Sequence, residues 1–120
     1  MSIYESGEMY LESILVLRGE KGLVRSIDIA NYTGYAKPSI SRAVGILKQN
    51  GYIEVDAEGF VTLTNDGEAI AKDIYEKHIV LTKYLVSLGV SPETAKEDAC
   101  KMEHVISKET FEKIKQNTND

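Results

Sequence analysis

From residue 5 to residue 19 the apolar positions recur at helical spacing: Tyr10, Ile14 and Leu17 share one face, with Gly19 near the end. A short second helix is predicted over residues 27–33. Ser26 is placed to cap it, Asp28 lies in its first turn, where a helix favours an anion, and Gly34 stops it. Tyr35-Ala36-Lys37 follows. Pro38, tolerated at a first helical position, then opens a third helix that runs to about residue 50, with Gly51 behind it. In this helix Ile40, Ala43, Val44 and Leu47 form an apolar stripe, and Ser41, Arg42, Gly45 and Lys48 form the opposite face. That face is short, polar and basic, without a bulky apolar group, and suits a DNA major groove.

Periodicity changes at residue 52. The stretch YIEVDAEGFVTLT alternates apolar and polar residues around Ala57-Glu58-Gly59, which predicts a β-hairpin with Ile53, Val55, Val61 and Leu63 on one side. A hairpin directly behind a basic second helix of a helix-turn-helix is the wing of a winged helix. Asp56 and Glu58 make its tip acidic, so the wing is a poor phosphate contact. Helical spacing returns over residues 66–88, where Asn65 and Glu68 resemble a capping box and Ile70, Ile74, His78, Leu81 and Leu85 form the inward stripe. Gly89 closes that helix. Ser91-Pro92-Glu93 opens another, reaching about residue 105, and Ser107 caps a last one carrying Phe111 and Ile114. The QNTND tail has too little apolar content to pack. The fold class expected is mostly α with a small β-hairpin. A winged helix-turn-helix DNA-binding domain over residues 1–64 is followed by a helical metal-binding and dimerisation domain over residues 65–120.

Composition adds the partner. The net charge of −5 argues against indiscriminate binding to nucleic acid, but its distribution is uneven. Residues 21–50 hold Lys21, Arg25, Lys37, Arg42 and Lys48 against Asp28 alone, whereas fourteen acids face eight lysines in residues 51–120. A basic segment on an acidic body fits DNA contact, and chance scatter of surface charge gives the same pattern. DNA-contact candidates are Arg25, Lys37, Pro38, Ser39, Ser41, Arg42 and Lys48, with Arg42 the candidate base reader. No apolar run approaches a membrane span, and MSIYESGEMY lacks the basic and apolar regions of a secretory leader, so a cytoplasmic location is expected. A single cysteine, Cys100, cannot form an internal disulfide.

Cys100, Glu103 and His104 fall at i, i+3 and i+4, which on a continuous helix places a thiolate, a carboxylate and an imidazole on one face. Taken alone, the triplet also reads as a buried structural cysteine beside two surface residues. His78 alone reads as a satisfied core histidine, and Met9, which shares a face with Glu12, as core filling. Together these residues supply soft, borderline and hard donors from three helices. A catalytic metal would need a substrate pocket and usually a general base, and no HExxH-type motif is present. Metal sensing is therefore the expectation, and an enzyme is not.

The segments EDACKMEHVIS (97–107), GEMYLESI (7–14) and EKHIVL (76–81) closely resemble the DtxR/MntR family of diphtheria-toxin-repressor-like metalloregulators, and the likeness runs from about residue 5 to about residue 114. The resemblance implies a homodimer in which bound metal holds two recognition helices at operator spacing. Its iron-sensing branch implies a primary site from Met9, Cys100, Glu103 and His104. Its manganese-sensing branch has carboxylates at positions 9 and 100 and uses positions 12 and 78 as well, so this chain combines iron-type Met9 and Cys100 with manganese-type Glu12. Two ancillary positions of the iron branch are Thr82 and Lys96 here, a departure that removes those ligands. Thioether and thiolate donors favour Fe2+, Co2+, Ni2+ or Zn2+ over Mn2+. The function expected is an Fe2+-activated repressor of metal-homeostasis genes acting on a palindromic operator. The alternatives are a manganese-responsive repressor, or a metal-independent regulator with Cys100 as a redox switch.

Overall fold

A computed structural model describes residues 5–118, with side chains from Gly7 to Thr118. Its elements are α1 (Glu5–Lys21), α2 (Ser26–Thr33), α3 (Lys37–Gln49), β1 (Ile53–Val55), β2 (Val61–Leu63), α4 (Asn65–Ser87), α5 (Pro92–Met102) and α6 (Lys108–Gln116). The chain divides into two compact units, and the division falls inside α4, after Lys72.

In the first unit Tyr10, Leu11, Ile14 and Leu17 of α1 pack with Ile29 of α2, Ile40 and Leu47 of α3, Ile53, Val61 and Ala71. This is the expected stripe on each helix, so apolar periodicity sets the orientation of all three. Gly34 ends α2 in the left-handed region (φ 79°), and its N–H donates to the Ala30 carbonyl at 2.8 Å. The hairpin is antiparallel, pairing Ile53 with Leu63 and Val55 with Val61, as the alternation predicts. Asp56 is consumed by its turn: Oδ1 accepts from the N–H groups of Glu58 and Phe60, both at 2.9 Å. A bridge between Arg25 and Phe60 ties the α1–α2 connection to the hairpin, and the Val61 N–H donates to the Val24 carbonyl at 2.7 Å.

Three expected caps move by one residue. Ser26 is the first residue of α2 and Arg25 the cap position; the Arg25 N–H donates to the Asp28 carboxylate at 2.8 Å, which replaces a serine cap. Helix α3 starts at Lys37 behind Ala36, so Pro38 stands second in it. At the start of α4 the working group is Thr64, not Asn65: its hydroxyl accepts from the Gly67 N–H at 3.2 Å and donates to the Gly51 carbonyl at 2.7 Å. Glu68 turns to Arg18 and Lys72 in place of the expected box. Gly67 is buried there, and a Cβ at this position would collide with the Tyr52 carbonyl.

In the second unit Leu81 of α4, Ala99 of α5 and Phe111 of α6 are buried together, with Val80, Met102, Ile106 and Ile114 packed around them. Ser91 and Ser107 cap α5 and α6 as expected, accepting from the Thr94 and Thr110 N–H groups at 3.4 and 3.1 Å. Helix α5 ends at Met102 rather than near residue 105. Glu103 still holds helical angles and donates its N–H to the Ala99 carbonyl at 2.9 Å, while His104 and Val105 lie in the turn that follows.

Candidate metal centre and nucleic-acid face

The end of α5 reshapes the donor triplet. Cys100 and Glu103 part company: the Cys100 thiol is exposed and Glu103 is 1% exposed, while His104 lies in the turn beyond the helix. The reading of Cys100 as a buried structural cysteine is thereby overturned. Glu103 instead meets two imidazoles. His78 Nδ1, one of the inward positions of α4, lies 3.0 Å from Glu103 Oε2, and His104 Nε2 lies 3.5 Å from Oε1. Among the described residues Oε1 has no hydrogen-bond partner, although it is buried. Removing a carboxylate from water is expensive unless a cation or several donors face it, so an orphaned buried carboxylate oxygen fits a cation-binding group. Imidazole and carboxylate together are the donor types that borderline and hard divalent metals take. Cys100 lines an open concavity with His78, Lys96, Glu97 and Lys101. The lysine at position 96 stands there as a cation in place of a ligand.

In the first unit Met9 and Glu12 are half-buried on α1. Ser13 Oγ donates to the Met9 carbonyl at 2.8 Å. The Met9 thioether accepts from the Tyr35 hydroxyl, with Sδ 3.8 Å from Oη. Tyr35 also sets its ring edge-on to Tyr10, centroids 6.1 Å apart. Burial, with Tyr35 close by, pushes the Tyr10 phenol above its ordinary range. Tyr35 was not a candidate on sequence grounds. An aromatic in the turn before α3 was its only signal, and its contact spans 26 residues of chain.

Of the DNA-contact candidates, Lys37, Pro38 and Ser39 open α3, Ser41, Arg42 and Lys48 follow, and all six are exposed. Ile46 stands exposed with them, at 52%, so the face is less purely polar than the sequence pattern implied. Arg25 holds its guanidinium 4.4 Å above the Phe60 ring centroid, a stacking contact that orients it. Lys21 is paired with Asp28 at 2.6 Å. That hydrogen bond, with the one from the Arg25 N–H, holds the Asp28 carboxyl below its usual range. The acid of this segment is thus neutralised locally, and α3 carries no acid in its first turn.

Two family descriptions match the chain. "Iron dependent repressor, N-terminal DNA binding domain" covers residues 2–59, and "Iron dependent repressor, metal binding and dimerisation domain" covers residues 64–120. The HTH-type transcriptional regulator MntR of Lysinibacillus sphaericus is 30% identical over 91% of this chain and 78% of its own length. The chain belongs to the iron-dependent repressor (DtxR/MntR) family. The transcriptional regulator MntR of Escherichia coli O6:H1 is 38% identical to this family member over 86% of the chain, which spans 66% of that relative. A solved manganese-dependent transcriptional repressor in complex with manganese shares the fold, with a TM-score of 0.85 at 24% identity. The match covers 92% of this chain and 51% of that one. A DNA-binding unit followed by a metal-binding and dimerisation unit is therefore the family's order, and the relatives named are transcriptional regulators. Among the described residues no helix is long and apolar enough to cross a membrane.

Proposed function

We propose that the chain is a homodimeric DNA-binding repressor switched on by a divalent transition metal. The observation that carries this reading is the buried Glu103 carboxylate, one oxygen unpartnered and two imidazoles beside it, within the residues matched by the metal-binding description. Glu103, His104 and Cys100, together with Met9 of the first unit, are the proposed metal ligands, and Glu12 and His78 complete the donor set. A bound divalent ion supplies a fixed positive charge to this set. The chain's own residues do the rest: the buried Glu103 would donate electron pairs, and His78 fixes one carboxylate oxygen by its hydrogen bond. A thioether and a thiolate favour Fe2+, Co2+, Ni2+ or Zn2+ over Mn2+, and Fe2+ is the first reading. The name of the E. coli relative supports Mn2+ as the second reading, and Glu12 is the residue here that fits it.

The residues 1–64 and 65–120 divide the work, the first reading DNA and the second binding metal and a partner chain. On α4, Tyr75, Ile79 and Val86 are exposed apolar side chains spaced to share one face, which supports pairing with a second copy. Lys37, Ser39, Ser41, Arg42 and Lys48 would meet DNA, and a two-fold dimer places two α3 helices about 34 Å apart on a palindromic operator. Metal-homeostasis genes are the proposed targets, in the cytoplasm.

Anaerobic fluorescence anisotropy on an operator pool, titrated with Fe2+ or Mn2+ and with chelator, tests this. Metal should tighten binding by about 5- to 150-fold, and Glu103→Gln should abolish the gain. Equal affinity in chelator would overturn the reading. The exposed Cys100 thiol favours one other reading, a redox switch. Loss of operator binding in peroxide, with chelator inert, would establish it.

A further inference from the structure

The Met9 thioether has two claimants, the metal of the proposed switch and the Tyr35 hydroxyl. We infer that Tyr35 is a positioning residue of that switch: its hydroxyl latches the Met9 thioether in the metal-free chain and ties this ligand to the joint in front of α3. The inference rests on the proposed role of Met9.

Three observations place the latch. Tyr35 lies in the connection Gly34-Tyr35-Ala36, between the left-handed end of α2 and the cap position of α3. Its backbone is held there, because the Tyr35 N–H donates to Thr33 Oγ1 at 3.3 Å. Its side chain reaches α1, where the hydroxyl donates to Met9 Sδ and the ring rests edge-on against Tyr10. One hydrogen bond thus spans from a ligand helix to the residue two places ahead of Lys37 and the α3 face.

A thioether sulfur is a weak acceptor. Coordination draws electron density from it and weakens it further, so metal and hydroxyl oppose one another at the same atom. Linkage makes the opposition reciprocal: as the metal weakens the bond, the bond weakens metal binding, and its loss strengthens it. Metal binding releases the Tyr35 hydroxyl at the α2–α3 joint, and removing the hydroxyl favours metal. The net strength of one neutral hydrogen bond sets the size, about 2- to 10-fold in affinity.

The test uses Tyr35→Phe, which keeps the ring contact with Tyr10 and deletes only the hydroxyl. Co2+ affinity is measured on the full chain by competition with a chromophoric chelator, for wild type, Tyr35→Phe, Met9→Leu and the double variant. Tyr35→Phe should bind Co2+ about 2- to 10-fold more tightly, with no such gain in the Met9→Leu background. In metal-free protein with 13C-labelled methionine methyls, Tyr35→Phe should move the Met9 signal and leave Met102 in place. An unchanged or lowered affinity, or the same gain without Met9, overturns the latch. If wild type binds no Co2+, or Met9→Leu binds it as tightly as wild type, the ligand role of Met9 fails as well. If Met9→Leu weakens binding while Tyr35→Phe does nothing, the latch alone fails.

Discussion

In the first unit the buried polar side chain is Ser13, and its hydroxyl is satisfied by the Met9 carbonyl one turn back. In the second it is Glu103, whose Oε1 has no hydrogen-bond partner among the described residues. The cores differ in the same sense. Leu11, Ile14, Ile29, Ile40, Ile53 and Val61 close the first with large aliphatic groups from three helices and two strands. The second is centred on Leu81, Ala99 and Phe111 beside a buried carboxylate. An interior that is apolar and satisfied stands by itself, whereas one that holds an unpaired carboxylate oxygen is stabilised by whatever cation enters. The first interior is closed by apolar groups, and the second holds the carboxylate oxygen that a cation would pair.

Truncating each core gives the largest expected effect. Ile14→Ala and Leu81→Ala should each lose about 2–5 kcal/mol. In hydrogen exchange, added metal should offset more of the loss in residues 73–118 of the second variant, which supply Glu103, than in residues 5–72 of the first, which supply Met9. Equal rescue of both would break the comparison. Glu103→Gln comes next. Wild type should gain about 2.7 kcal/mol at a metal concentration 100 times Kd, seen as a rise in Tm, and the variant should gain nothing. Metal-free Glu103→Gln should be as stable as wild type or more so. A large loss would instead show that the carboxylate stabilises the fold through His78 without metal. Gly67→Ala should cost about 1–3 kcal/mol, because the new methyl meets the Tyr52 carbonyl. That cost should be identical with and without metal in chemical denaturation.

Acid gives the smallest effect. Asp28 has a depressed pKa in the folded chain, so its contribution is present above the ordinary carboxylate value of about 3.9 and fades as pH falls through the folded value. Asp28→Asn should flatten the loss of first-unit stability below about pH 4, modestly because Lys21 is half exposed. Metal should leave that acid limb unchanged.

The helix order, the hairpin and the exposed face of α3 were legible because apolar periodicity is a repeated signal: every turn of Ile40, Ala43, Val44 and Leu47 restates it. The caps were not, since a cap is one residue wide and is decided by backbone angles. Thr64 takes the place of Asn65 for that reason, and Arg25 that of Ser26. The donor spacing at 100, 103 and 104 was legible, but the spacing argument assumed that the helix continued. It stops at Met102, so His104 lies in the turn beyond it, and at the helix end Glu103 is buried beside His78 while Cys100 is exposed. A carboxylate in an interior runs against composition rules, and only the surrounding packing reveals it. The Tyr35–Met9 contact was illegible for a plainer reason: nothing local links residues so distant in sequence.

The hairpin turn separates charge from shape. Asp56 is negative at the tip, yet its carboxylate is what closes the turn, through the Glu58 and Phe60 N–H groups. Exchanging it for a lysine to attract a phosphate would open the loop that presents the new cation. Glu58 contributes to the turn by its main chain, and its side chain is exposed. It is therefore the place where the sign of the tip can be rewritten while the architecture stays intact, and salt-dependent affinity can be adjusted at this one position without disturbing how the hairpin is made.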